Sequence, residues 1–191
     1  MQLRPMTSTD LADLAEIDAT IESTEYLHLQ REDDAERETL SASWSLEPRE
    51  LRDKLIKANP PGDDLEFTYK QVIAGVLEGM AWAAEHDGLP VASLLAEPRA
   101  ERGLLEIVDL RVDYDHRRQG LASALIFQAV TAARESDLRA LLAHTTANMQ
   151  SANALLAKVG FDLAGLDERR FTNHDVVKEQ ATLIWYLALS E

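Results

Sequence analysis

The sequence predicts an α/β fold of the α+β type, in which one mixed sheet is covered by helices. Three observations predict it. Short apolar segments of strand length follow one another between residues 80 and 112. Beyond residue 120 the apolar spacing changes to the helical period and then alternates between helix and strand. Neither a repeat nor a linker divides the 191 residues, so we expect a single domain over residues 1–191.

The composition is that of a folded, acidic protein. Hydrophobic residues make up 46% of the chain and charged residues 28%, close to the averages for globular domains. Nineteen Lys and Arg residues against 34 Asp and Glu residues give a net charge of −15. Nucleic acid and anionic membranes are therefore not expected partners, whereas a cationic amine fits this charge.

The chain contains no cysteine, which excludes disulfides, thiolate metal sites and cysteine nucleophiles. We expect a cytoplasmic protein, because residues 1–6 reach Asp10 before any long apolar run that could act as a signal peptide. No segment approaches the roughly 20 apolar residues of a membrane span. The five histidines have no metal-ligand spacing, so no metal is expected.

Residues 3–6 are expected to form a short strand that is followed by a helix. Residues 8–10, Ser-Thr-Asp, offer side-chain oxygens that can cap the N-terminus of this helix. Its apolar stripe recurs at helical spacing: Leu11, Leu14, Ile17 and Ile21.

From about residue 22 to residue 64 we expect an acidic helical or loop insertion. Leu51 and the pair Leu55-Ile56 predict an amphipathic helix that ends at residues 59–62, Asn-Pro-Pro-Gly. The acidic side chains either face solvent or line an entrance that attracts an amine. They include Glu22, Glu25, Asp33, Asp34, Asp63 and Asp64. Residues 65–77 fit a strand or a helix equally well.

The second half of the chain has clearer signals. Asp87-Gly88 favours the tight turn of a hairpin between two apolar strands. Gly160 stands where a helix commonly ends. The expected elements are strands at 80–84, 91–95 and 104–112, a helix from Leu121, a strand at 138–143, a helix at 152–159, and strands at 161–164 and 182–189.

The segment between the third strand and the next helix carries the chemistry. A helix N-terminus has unpaired N–H groups and a positive partial charge, so it can hold a diphosphate. Gly120 lets the backbone approach such a ligand closely, and Arg117 and Arg118 add charge-assisted donors. The pattern indicates a phosphate site; an ordinary strand-to-helix turn is the alternative.

The run Arg117-Arg118-Gln119-Gly120-Leu121-Ala122 resembles the Arg/Gln-x-x-Gly-x-Gly/Ala signature of the GNAT N-acetyltransferase superfamily. Residues 107–112 resemble the central strand of this family, and residues 158–161, Lys-Val-Gly-Phe, resemble the end of its second helix. The stretches 160–167 and 183–187 are similar to the close of streptothricin acetyltransferase-like members. The likeness is strong from residue 80 to residue 189.

This resemblance implies a GNAT-like fold, with a central, mostly antiparallel sheet that splays at the coenzyme site and is flanked by helices. It implies acetyl-CoA as cosubstrate, no metal, and direct transfer of an acetyl group to a primary amine. The expected acceptor is a small cationic antibiotic or polyamine. Acetylation of a protein N-terminus or lysine, and a coenzyme-binding module with little catalysis, are the alternatives. A homodimer is left open as the assembled state.

The resemblance also implies the coenzyme-binding residues, with the backbone N–H of Val112 as an oxyanion donor. They lie on the central strand, in the loop and helix that follow it, and before the second helix: Leu110, Arg111, Val112, Arg117, Arg118, Gln119, Gly120, Leu121, Ala122, Ser123 and Asn148. Met149 occupies the place of the family's helix-start Asn, with Asn148 beside it.

A protonated amine must lose a proton before it attacks a thioester, so a general base is required. Glu106 and Asp109 on the central strand are the candidates that the resemblance suggests. Because side chains alternate along a strand, both can face one cleft only if the strand bulges. Leu156 occupies the place of the Tyr that acts as general acid in the family, and its side chain cannot donate a proton. Tyr186 or Tyr114 is the alternative acid, unless the thiolate leaves without one.

Overall fold

The structure is a computed structural model that describes residues 1–33 and 42–189. Within these residues it contains nine strands and three α-helices. The strands are β1 (Gln2–Pro5), β2 (Ile21–Asp33), β3 (Ala42–Lys57), β4 (Met80–His86), β5 (Leu89–Arg99), β6 (Leu104–Val112), β7 (Ala140–Thr146), β8 (Asp162–Asp167) and β9 (Thr182–Ala188). The helices are α1 (Asp63–Ile73), α2 (Leu121–Glu135) and α3 (Gln150–Val159).

Among the described strands, seven form one mixed sheet in the order β1-β4-β5-β6-β7-β9-β8. Neighbouring strands are antiparallel except β6 and β7, which are parallel. Helix α2 covers one face, where Leu125 and Ile126 are fully buried in a cluster with Leu94. Helix α1 covers the other face through Tyr69, which is buried in a cluster with Leu95. The predicted α/β class and the mostly antiparallel sheet are confirmed.

The hairpin at residues 87–88 is confirmed. Asp87 has φ 51° and Gly88 has φ 85°, so both turn residues are left-handed, which suits the twist of the flanking strands β4 and β5. Helix α3 likewise ends at Gly160, which has φ 105°. Within the described part of the chain, none of the helices combines the length and apolarity needed to cross a bilayer.

The predicted helix over residues 11–21 is wrong. Residues 8–13 form turns, Leu14–Glu16 form one short 3-10 turn, and Ile21 already belongs to β2. The carboxylate of Asp10 accepts hydrogen bonds from the backbone N–H of Thr7, three residues before it, and from the guanidinium of Arg4. It therefore closes a turn against β1 instead of capping a helix that would follow.

The predicted helix around Leu51 and Leu55-Ile56 is also wrong. These residues lie in β3, which pairs with β2 as an antiparallel ribbon separate from the main sheet. The ribbon docks through the N–H of Leu27, which donates to the carbonyl of Ala147, 3.0 Å away. Local apolar spacing indicated a helix, but pairing with β2 satisfies the backbone of this segment. The ambiguous stretch 65–77 is resolved in favour of helix α1.

Candidate active site

The central sheet opens between β6 and β7. The two strands pair only where Leu104–Ile107 meets Ala140–Ala143, although β6 continues to Val112 and β7 to Thr146. A cavity of about 560 Å³ occupies the gap. Its walls come from the ends of both strands, the start of α2 and the side of α3. The expected splay of the sheet is present.

The separation also exposes backbone groups of β6. The N–H of Asp113 donates to the carbonyl of Val91 on the β5 side, at 2.9 Å. Because backbone groups alternate in direction along an antiparallel strand, the N–H and carbonyl of Val112 point away from β5, toward the gap. Val112 and Leu110 both line the cavity.

Strand β6 contains a bulge at Val108. The β5–β6 register steps from the pair Leu95–Asp109 to the pair Ala96–Ile107 and leaves Val108 without a partner on β5. A bulge shifts the alternation of side chains by one residue. The condition for a shared cleft is therefore met, because Glu106 and Asp109 lie on the same face of the sheet.

The start of α2 forms the other end of the cavity. Gly120 precedes the helix with φ 83°, a conformation that L-residues rarely adopt, and no side chain caps the helix. A Cβ at Gly120 would meet no atom within 4 Å, so the space above this backbone is open. The first N–H groups of a helix have no partner within the helix. This cradle fits a diphosphate, and it is lined by residues that the resemblance implied: Gly120, Leu121, Ala122 and Ser123.

The two arginines of the loop have different surroundings. Arg117 donates from Nε to the carbonyl of Val112 at 3.2 Å and from Nη2 to the carbonyl of Thr20 at 2.7 Å, so it ties the loop to β6 and to the start of β2. Its guanidinium lies over the ring of Tyr114. Arg118 is exposed and lines both this cavity and an adjoining one of about 460 Å³. Arg118 is therefore the arginine that can turn toward a ligand.

Other candidates lie apart from this cradle. Gln119 is exposed and does not line the cavity. Asn148 also lies outside the cavity lining, and its Oδ1 accepts a hydrogen bond from Thr146 Oγ1 at 2.7 Å. Met149 and Leu156 do line the cavity.

Asp109 is held in a buried polar cluster. Its carboxylate accepts from Nε and Nη2 of Arg111, at 2.7 and 3.0 Å, and from the hydroxyl of Tyr69 at 2.8 Å. Burial, together with the charge of Asp109, raises the pKa of Tyr69 well above its usual value. The phenol therefore stays protonated and donates a hydrogen bond to Asp109. Sequence reasoning missed Tyr69, since its segment fitted a strand or a helix. The Arg111 side chain is only 1% exposed, although it borders the cavity.

Glu106 has different partners. One carboxylate oxygen accepts a hydrogen bond from Nε of Arg99 at 2.6 Å, and the other lies 3.3 Å from Nδ1 of His144. Burial lowers the pKa of His144, nearby arginine charges lower it further, and the charge of Glu106 opposes them. Sequence reasoning missed His144 because it compared histidines only with metal-ligand spacings.

The tyrosine candidates do not reach the cavity. The hydroxyl of Tyr186 accepts a hydrogen bond from Nη2 of Arg102 at 2.7 Å, on a strand two places from β6. The hydroxyl of Tyr114 donates to Glu22 at 3.3 Å. Neither tyrosine belongs to the residues that line the cavity between β6 and β7.

The acidic side chains expected at an amine entrance are divided between two elements. Glu22 on β2 forms an ion pair with Nζ of Lys54 at 3.2 Å, and Glu25 accepts from Nε2 of Gln150 at 2.7 Å. The first turn of α1 carries two more: Asp63 and Asp64. The side chain of Asp33 and the whole of Asp34 lie outside the described residues.

A sheet that opens beside an uncapped helix N-terminus defines the class of fold that the resemblance implied. The family model described as "Acetyltransferase (GNAT) family" matches residues 27–161, most of the chain. The protein therefore belongs to this family and is an acetyltransferase.

Solved structures share this fold. A nourseothricin acetyltransferase is similar with TM-score 0.76 and 19% identity, covering 99% of this chain and 98% of that one. A putative streptothricin acetyltransferase from Bacillus anthracis, solved with acetyl coenzyme A, has TM-score 0.72 and 18% identity, covering 99% and 97%. The ribosomal-protein-S18-alanine N-acetyltransferase from Escherichia coli has TM-score 0.65 and 16% identity, covering 100% and 94%.

Proposed function

We propose that the protein is an acetyl-CoA-dependent N-acetyltransferase that transfers the acetyl group directly to a primary amine of a small cationic compound, of antibiotic or polyamine type. The observation that carries this proposal is the cavity between β6 and β7, which ends at the uncapped N-terminus of α2. A coenzyme has a diphosphate and an extended, amide-bearing arm. The cavity offers free N–H groups to the diphosphate and an unpaired strand edge to the amide-bearing arm.

The cosubstrate supplies an activated thioester, and the protein supplies position and charge. The N–H of Val112 points into the gap, which suits it to hold a carbonyl oxygen as negative charge develops there. Arg118 and the start of α2 hold the opposite, anionic end of the molecule. The acyl group would then lie toward the closed end of the gap, near Ala143.

Two observations support a cationic acceptor. The net charge of −15 attracts amines by long-range electrostatics. The fold is shared along nearly its full length with proteins named as streptothricin and nourseothricin acetyltransferases. Acetylation of a protein N-terminus or lysine, and coenzyme binding with little catalysis, are the outcomes that would contradict this acceptor class.

The test is release of free thiol from acetyl-CoA in the presence of single acceptors. The panel contains spermidine, an aminoglycoside, streptothricin, a peptide with a free N-terminal Ala, and a lysine peptide with a blocked N-terminus. We expect release with a small cationic amine and not with the peptides. Release only with a peptide would replace the proposed acceptor. Coenzyme binding without release for any acceptor would favour the binding module.

Two glycine variants provide a matched control for the coenzyme site. Gly120→Val and Gly88→Val both place a β-branched residue at φ near 85° with no atom within 4 Å of the new Cβ. Both should lose stability of about 1–2 kcal/mol from left-handed strain. Only Gly120→Val should weaken coenzyme binding in calorimetry, by about tenfold or more, because its side chain occupies the diphosphate cradle. Equal affinities of the two variants would contradict the assigned site.

A cytoplasmic location belongs to the same proposal. The cysteine-free sequence supports a reducing compartment. Light scattering on the purified protein decides between monomer and dimer.

A further inference from the structure

The closed end of the cavity has a histidine beside it. Strand β7 pairs with β6 through Ala143, and His144 is the first residue beyond that pairing. Its neighbours along the strand, Ala143 and Thr145, both line the cavity, so His144 belongs to the opposite face of the sheet at the same level. Across the gap stands the bulge at Val108. His144 therefore lies at the point where the sheet opens.

Glu106 is the carboxylate that faces this imidazole. Its Oε2 is held by Nε of Arg99 at 2.6 Å, and Nη1 of Arg99 is itself held by Glu97 at 2.9 Å. The remaining oxygen, Oε1, lies 3.3 Å from Nδ1 of His144. An ionised carboxylate only accepts hydrogen bonds, so its position favours the tautomer in which Nδ1 carries the hydrogen. The lone pair of the neutral imidazole is then on Nε2.

The charges that surround His144 favour its neutral form. Burial has the largest effect and lowers its pKa below the usual 6.5. The positive charges of Arg170, which follows β8, and Arg102, which precedes β6, lower it further, while Glu106 raises it. The side chain is still 22% exposed, so solvent and a substrate can reach it. Near neutral pH the imidazole is therefore available to accept a proton.

The other carboxylate is less suited to this task. Asp109 already accepts three hydrogen bonds, two of them from the buried guanidinium of Arg111. Three of its roughly four lone-pair sites are occupied by donors that do not dissociate near neutral pH, since the pKa values of Arg111 and Tyr69 are both raised. Among the described residues, the pair Glu106 and His144 leaves Nε2 of the imidazole without a hydrogen-bond partner.

We propose that His144 is the catalytic base of the acetyl transfer, with Glu106 as the positioning residue that fixes its tautomer. This inference rests on the proposed function. The lone pair of the unprotonated amine forms the N–C bond to the thioester carbonyl carbon, and Nε2 of His144 accepts a proton from that nitrogen. The C–S bond then breaks, its electron pair leaves on sulfur, and the imidazolium returns the proton to the thiolate.

One residue thus performs both proton transfers. Leu156 lines the cavity at the position where the resemblance implied a tyrosine acid, and its side chain has no proton to donate. A histidine that has taken a proton from the amine can deliver it to the leaving sulfur, so no second acid is needed.

The first experiment is independent of turnover. Nitrogen-15 NMR of the imidazole in the wild-type protein should show the Nδ1–H tautomer of His144 at pH 7.5 and a pKa below 6.5. Glu106→Gln should move this pKa to lower pH, because it removes the negative charge that raises it. An Nε2–H tautomer, or a pKa unchanged by Glu106→Gln, would overturn the proposal.

The second experiment measures kcat/KM against pH for wild type, His144→Gln, Glu106→Gln and the matched control His174→Gln, whose side chain is exposed. As pH decreases below the pKa of the acceptor amine, log kcat/KM of the wild type and of the control should fall by one unit per pH unit. Below the pKa of His144 it should fall by two units per pH unit, because both the amine and the imidazole must then lose a proton. His144→Gln should keep slope one throughout and lower kcat by about 10²- to 10⁴-fold. Glu106→Gln should be intermediate and should show its inflection at lower pH.

Coenzyme affinity of His144→Gln should equal that of the wild type in calorimetry, which separates loss of the base from loss of the site. Retention of kcat within about threefold in His144→Gln, or persistence of slope two, would overturn the dyad while leaving the acetyltransferase function intact. If the wild type releases no thiol with any acceptor, the proposed function fails, and the base assignment fails with it.

Discussion

Replacement of Asp109 by Asn tests whether this carboxylate supports the fold or carries the reaction. Asn has the shape of Asp but no charge, and its amide nitrogen cannot accept a hydrogen bond. The change therefore leaves the guanidinium of Arg111, whose side chain is 1% exposed, without its ionic partner. It also leaves one acceptor oxygen in place of two beside the hydroxyl of Tyr69, which is fully buried.

The expected magnitude follows from this burial. Removal of one partner from a buried ion pair lowers the free energy of unfolding by about 3–5 kcal/mol, because the remaining charge is left uncompensated. For a chain of this length each kcal/mol lowers the melting temperature by roughly 2–4 °C. Asp109→Asn should therefore melt about 6–20 °C below the wild type.

Calorimetry measures the melting temperature, and turnover is measured at a temperature where the variant is folded. Asp53→Asn is the matched control, because Asp53 is an exposed carboxylate on the ribbon and its loss should change the melting temperature by less than about 2 °C. Under these conditions Asp109→Asn should keep most of its kcat. An unchanged melting temperature together with a loss of kcat by about 10²-fold would refute the reasoning and make Asp109 the base.

Two further predictions concern stability. Hydrogen bonds from Arg4 lower the pKa of Asp10 from 3.8 to about 2, so the carboxylate contributes about 2 kcal/mol above its unfolded pKa. This contribution should disappear as pH falls through the folded-state pKa. In urea unfolding, the difference in unfolding free energy between wild type and Asp10→Asn should be constant above pH 5 and should shrink toward pH 2. A difference independent of pH would contradict the pairing of Asp10 with Arg4. Asn153→Ala should lower the free energy of unfolding by about 1–3 kcal/mol, because the hydroxyl of Thr145 loses its buried acceptor. Asn173→Ala, at an exposed position, is the control and should change stability little. Equal urea midpoints for the two variants would contradict the role of Asn153 as a buried acceptor.

Most elements after residue 80 could be predicted because their signals are local. Asp87-Gly88 needs only its own backbone conformation to close a hairpin, and Gly160 needs only its own to end a helix. The loop from Arg117 to Gly120 is equally local, since a helix N-terminus, a glycine and two arginines within a few residues predict an anion cradle. The coenzyme end of the candidate site could therefore be predicted from the order of residues along the chain.

Segments whose backbone finds a distant partner could not be predicted in this way. Leu51 and Leu55 are spaced as on a helix, yet β3 is a strand because β2 pairs with it along most of its length. Asp10 has a side chain suited to a helix cap, yet its carboxylate accepts hydrogen bonds from Arg4 and Thr7 instead. In the first place pairing with β2 satisfies the backbone that was predicted to be helical. In the second, residues that precede Asp10 occupy the carboxylate that was predicted to cap a helix after it.

The sequence by itself thus determined the fold class and the family, and it located the candidate diphosphate loop, because each depends on neighbours in the chain. Only the tertiary structure decided which groups meet where the sheet opens. The bulge at Val108 brings Glu106 and Asp109 to one face, and the parallel pairing of β6 with β7 brings Glu106 to His144. Register between strands is set by long-range pairing, so no local pattern in the chain could contain it.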